Sequence, residues 1–161
     1  MTHKFLYLDS TLSSQLYIEY LTATIVLSAA FVYSLYIAPS IESATDGLFG
    51  RINNMHKSCI INCDTTTCKK VLSGRGSNYF INTPKEKQEA IKSCVITFWG
   101  LSHFACYAVL GFLAPNIFQE AFVIGAWFEF YEHEKYDCHD PLDILLNIAG
   151  YTIGSTIRSN I

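Results

Sequence analysis

Glu129, Glu132, Asp140, Asp143 and Asn147 stand inside, or at the mouth of, segments otherwise built from aromatic and aliphatic residues, in the stretch GAWFEFYEHEKYDCHDPLDILLNIAGYTIG from Gly125 to Gly154. Acids in an apolar setting are costly and persist where they have partners or a job. Their spacing groups them. Asp140, Asp143, Asn147, Gly150 and Gly154 recur at intervals of three and four, which places them on one helical face. Glu129 and Glu132 are three apart and share another face, which Gly125 continues one turn earlier.

Carboxylates gathered from two facing helices cannot all stay ionised unaided. Either protons are retained or a hard divalent cation such as Ca²⁺ or Mg²⁺ sits among the oxygens. Glu129, Glu132, Asp140 and Asp143 are therefore the candidate metal ligands. His103, from the preceding apolar segment, suits a general base or nucleophile near neutral pH if a carboxylate orients it. The candidate catalytic set is His103, Glu129, Glu132, Asp143 and Asn147.

Plainer roles compete. Asp140 precedes Pro141 and makes a good helix cap. A lone histidine in an apolar helix often bonds helix to helix. Glu120 lies in the first turn of its helix, where the dipole favours an acid. Glu134, Lys135, Asp137 and His139 read as a solvated connector.

A second cluster, His56, Cys59, Cys63 and Cys68, contains zinc-capable donors, but the spacing H-x2-C-x3-C-x4-C is not that of a standard finger. Zinc is disfavoured there against disulfides or free thiols, between which cysteine count does not decide. Cys106 reads as a small core residue. SGRGSN is glycine-rich but lacks the lysine of a phosphate-binding loop.

Hydropathy supplies the elements that must hold these groups. The 161 residues suffice for one domain; half are apolar and only 16% charged, against about 25% in an average soluble domain. Residues 1–15 are a polar leader. Residues 16–38 read as a transmembrane helix with one charge, Glu19, and interfacial tyrosines. The apolar run is too long for a signal-peptide core and is expected to be retained. Residues 39–92 are a polar, cysteine-containing loop, with a helix start near Thr83-Pro84. Residues 93–161 carry three further apolar segments, at 95–114, 117–131 and 142–157, the last two short enough to tilt, re-enter or sink into one leaflet. The expected fold is all-α, an integral membrane bundle of about four helices.

The loop holds eight of the eleven basic residues, which predicts a cytoplasmic placement for residues 39–92. The opposite placement would favour disulfides. The formal net charge of -3 is too small to bear on nucleic acid; with no basic stripe of interleaved aromatics, no nucleic-acid partner is expected.

These residues resemble a family pattern. In phosphatidylserine synthases of the base-exchange type, a membrane histidine precedes a Trp-Glu-x-x-Glu helix, then a segment with aspartates, asparagine and glycines. The counterparts are His103 in SHFACY, Glu129 and Glu132 in WFEFYE, and Asp140, Asp143, Asn147, Gly150 and Gly154 in DPLDILLNIAGYTIG. The last helix also looks like the end of small VanZ-type membrane proteins. The resemblance covers about residues 95–157. It implies chemistry on a phospholipid head group or lipid-linked phosphate, by transfer or hydrolysis. The acids would hold a cation against the phosphate, His103 would activate an alcohol or attack phosphorus, and Asn147 would orient a head group or carboxylate. Membrane lipid would be substrate or ligand, and a homo-oligomer is compatible. The alternatives are a non-enzymatic protein whose acids bind a cation or partner helix, and an ion or proton pathway.

Overall fold

The structure is a computed structural model that describes residues 2–40, 59–63, 65–66, 94–136 and 140–161, without the side chains of 2–12, 34–40, 132, 135 and 136. The helix start expected near Thr83, together with His56 and Cys68, lies outside the described residues. The described chain is mostly helical. Its elements are α1 (Thr2–Ser40), β1 (Cys59–Asn62), β2 (Cys94–Thr97), α2 (Phe98–Leu113), α3 (Phe118–Tyr136) and α4 (Pro141–Ser159).

Helix α1 runs through the expected leader at 1–15 and takes in Pro39. Within it, Ser13–Tyr33 is the stretch, among the described residues, that is long and apolar enough to cross a membrane; α2 is apolar but shorter. Helix α3 extends to Tyr136, so His133 and Glu134 are helical and exposed rather than part of the expected connector. No proline or glycine interrupts that last stretch of the helix.

The second apolar segment, expected to be helical from Val95, begins as a strand. β-Branched Val95, Ile96 and Thr97 favour pleated backbone, and β2 pairs antiparallel with β1 in the register Cys59↔Thr97, Ile61↔Ile96 and Asn62↔Cys94. Thr97 then caps α2, its Oγ1 accepting from the Gly100 N–H at 3.0 Å. A Cys59–Cys94 disulfide ties the ribbon together. Cys63 is also disulfide-bonded. Neither sulfur is therefore a thiolate for zinc, and the choice left open by sequence falls to disulfides at these two positions. Disulfides persist in oxidising compartments, which weighs against the cytoplasmic placement that charge alone suggested for residues 39–92.

Helices α2 and α4 pack backbone to backbone. A Cβ added at Gly150 would overlap the Phe104 carbonyl, one at Gly154 the Ala108 carbonyl, and one at Gly111 the Tyr151 carbonyl. Small residues at these crossings let the two backbones meet. Gly100 lies against Asp143 near the start of both helices, and Phe112 against Gly154 further along, so α2 and α4 run parallel. Helix α3 returns antiparallel alongside them: Tyr107 Oη donates to the Ala121 carbonyl at 3.0 Å, and His103 lies beside Glu129.

Two polar side chains fix the α2–α3 turn. The Tyr151 hydroxyl donates to the Ala114 carbonyl and accepts from the Ile117 N–H at 3.1 Å. Glu19 of α1, 3% exposed, accepts from the Asn116 N–H at 3.0 Å and from its Nδ2 at 2.8 Å. The acid that sequence showed only as a lone charge in an apolar helix thus binds α1 to the turn. Further along, Phe31 of α1 meets Phe128 of α3 edge-on at 6.2 Å, so these two helices run in the same direction.

Candidate functional site

The site is assembled from three helices. His103 comes from the first half of α2, Glu129 from α3, and Asp143 from the first turn of α4, with Asn147 one turn beyond it. All four are buried, at 8%, 4%, 3% and 4% exposure respectively. His103 Nδ1 lies 3.7 Å from Glu129 Oε1. One ligand atom each from His103, Glu129 and Asp143 lie within 4.8 Å of one another.

Glycines make the room. A Cβ at Gly100 would come within 2.8 Å of Asp143 Oδ1, and one at Gly125 within 2.5 Å of Tyr107 Oη and 3.2 Å of Asn147 Nδ2. Gly125 therefore shares the inward face of Glu129, as their spacing requires. The His103 ring is flanked by Trp99 at 5.4 Å and Phe128 at 6.1 Å, which limits its rotation. The Asn147 amide faces the imidazole. Asn147 Oδ1 is buried and makes no hydrogen bond to any described residue.

Of the four candidate metal ligands, Glu129 and Asp143 are brought together, with His103 as a third donor. Asp140 caps α4, its Oδ1 accepting from the Leu142 N–H at 3.1 Å. The Glu132 side chain lies outside the described residues. Sequence reasoning missed Gly100, Tyr107, Tyr151 and the role of Glu19. Glu19 carried a signal, being an acid in an apolar helix, but its partner Asn116 is 97 residues away.

Two carboxylate oxygens and an imidazole nitrogen at this separation suit a divalent cation. Oxygen ligands bind Ca²⁺ at about 2.3–2.6 Å and Mg²⁺ at about 2.0–2.1 Å, so donors up to roughly 5 Å apart can share one ion. Imidazole in the set widens the range to metals such as Mn²⁺ or Zn²⁺. The same geometry sets the Glu129 carboxylate beside the His103 imidazole, in ion-pair rather than hydrogen-bond range. Comparison with protein-family models, with curated proteins and with solved structures finds no match to this chain.

Proposed function

We propose that the chain is a multi-pass membrane protein acting on phosphate-bearing lipid head groups, by exchange, transfer or hydrolysis. The observation that carries this reading is the convergence of His103, Glu129 and Asp143 from three helices into one buried group. The membrane part is supported by an inverted distribution of side chains. Glu19, His103, Glu129, Asp143 and Asn147 are buried, whereas Ile18, Ile25, Val123, Trp127, Phe130 and Leu145 are each more than half exposed. So many exposed large apolar side chains are unfavourable in water and favourable in lipid. Helices α2, α3 and α4 then lie in the membrane with α1. The disulfides at Cys59 and Cys63 favour the oxidising side for residues 39–92.

In this reading Glu129 and Asp143 would hold Ca²⁺ or Mg²⁺, which when bound would supply charge stabilisation to the phosphoryl oxygens. His103, with the Glu129 carboxylate 3.7 Å away, would take the proton of the incoming hydroxyl as its oxygen bonds to phosphorus, and return it to the departing alcohol oxygen as that P–O bond breaks. Asn147 offers its amide to the head group. The aromatic rings of Trp99 and Phe128 keep bulk water from the imidazole, so the proton moves within the site.

One observation favours a second reading. His103 is itself within ligand distance of both acids, so the three donors can close around an ion in a protein that only binds it. Mn²⁺ titration of purified protein in nanodiscs, read by electron paramagnetic resonance, separates the two. Glu129→Gln and Asp143→Asn abolish binding in both readings. His103→Ala leaves affinity intact if the histidine is the base, and weakens it if the histidine is a ligand. Lipid head-group profiles of cells expressing wild type and His103→Ala complete the test: identical profiles overturn the enzymatic reading.

A further inference from the structure

A cavity of about 380 Å³ opens between α1, α2 and α3. Leu27, Ala30 and Phe31 form its α1 wall, and Trp99, Trp127 and Phe128 most of the opposite one. His103 and Asn147 line it as well. The cavity is therefore almost wholly apolar, yet one end carries His103 and Asn147, and His103 in turn has ligand atoms of Glu129 and Asp143 within 4.8 Å. Its α2 wall runs from Trp99 to Tyr107, a rise of about 12 Å along a helix. The volume lies at the low end of the range of roughly 300–1,000 Å³ that holds a small organic ligand.

We propose that this cavity takes the single apolar chain of an amphiphile whose phosphate sits at the His103–Asn147 end, against a cation shared by His103, Glu129 and Asp143. This rests on the reading of the polar group as a cation-assisted phosphate site, and it narrows the ligand class. A diacyl lipid cannot place both chains in so small a space. A single-chain phosphate ester can place the segment next to its head group there while the remainder leaves between the helices. Three features select this occupant. The walls offer an apolar chain continuous contact. The polar end carries His103, which has ligand atoms of Glu129 and Asp143 within 4.8 Å, a donor set suited to a cation and so to an anionic head. Asn147, which lines the cavity beside His103, is placed to offer its amide to the ligand's polar head.

The chain has two tryptophans, and both line the cavity. In Trp127→Phe protein, fluorescence reports Trp99 alone. The protein is placed in nanodiscs of unlabelled diacyl lipid and titrated with a brominated single-chain lysophosphatidic acid. Saturable quenching at low mole fraction is expected. Ala30→Phe, which fills the cavity from its α1 wall, is expected to weaken that quenching by roughly tenfold or more. Brominated diacyl phosphatidic acid serves as the control and should quench only in proportion to its mole fraction.

Non-saturating quenching by the single-chain probe, or saturable quenching that Ala30→Phe leaves unchanged, overturns the proposal. Mn²⁺ binding measured on the same samples keeps the two readings apart. Retained Mn²⁺ binding with no saturable quenching removes the chain pocket and leaves the cation site standing. Retained Mn²⁺ binding in Ala30→Phe also shows that the variant has folded.

Discussion

His103 Nδ1 and Glu129 Oε1 lie 3.7 Å apart across the α2–α3 interface, shielded from solvent. In the proposed function the pair joins two roles: the carboxylate would be a ligand for an ion and the charge beside the imidazole.

Glu129→Gln keeps the shape of the side chain and removes its charge. It is expected to reduce Mn²⁺ affinity by at least about a hundredfold, since an anionic ligand becomes a neutral one. Isothermal titration of the protein in nanodiscs measures this, and an unchanged affinity would show that Glu129 is not a ligand.

Gly154→Leu is expected to separate α2 from α4. Its Cβ would overlap the Ala108 carbonyl, which is backbone and cannot rotate away. Overpacking of this kind costs about 1–3 kcal/mol or more. The readout is thermal stability by size-exclusion chromatography in detergent. Leu145→Ala is the control, because Leu145 is 59% exposed and its truncation should shift stability little.

Glu19→Ala removes the acceptor of two hydrogen bonds from Asn116. Charge-assisted bonds contribute about 1.5–3 kcal/mol each when buried, so a loss of that order is expected. A double-mutant cycle with Asn116→Ala checks the assignment. The two effects should be non-additive by more than about 0.5 kcal/mol, and simple additivity would mean the side chains do not interact.

Cys94→Ser opens a loop of sequence separation 35. Loop-closure entropy assigns such a crosslink about 3–4 kcal/mol of stability. Unfolding of wild type and variant in a denaturant series tests the magnitude. Maleimide labelling of intact cells and of permeabilised cells, each with and without reductant, tests the compartment. Wild-type Cys59 and Cys94 labelled only after reduction, in cells left intact, would place the ribbon on the oxidising side.

The sequence by itself determined the face Asp143–Asn147–Gly150–Gly154, because residues at helical spacing share a side wherever the helix is placed. It also determined that Gly125 and Glu129 lie together, and that Asp140 and Pro141 begin a helix. These are local properties, set by periodicity and capping. It did not determine that Val95–Thr97 is a strand, since a short β-branched run reads equally well as the start of an apolar helix, and the pairing that settles it comes from Cys59–Asn62 far upstream. Nor did it show that Glu19 meets Asn116 or that Gly100 makes room for Asp143. Only the tertiary structure decided which acids converge. It drew Glu129 and Asp143 to His103 and left Asp140 as a cap, because the close crossing of α2 and α4 sets the depth at which each side chain enters the bundle. That depth depends on contacts between residues distant in the chain, which no local pattern encodes.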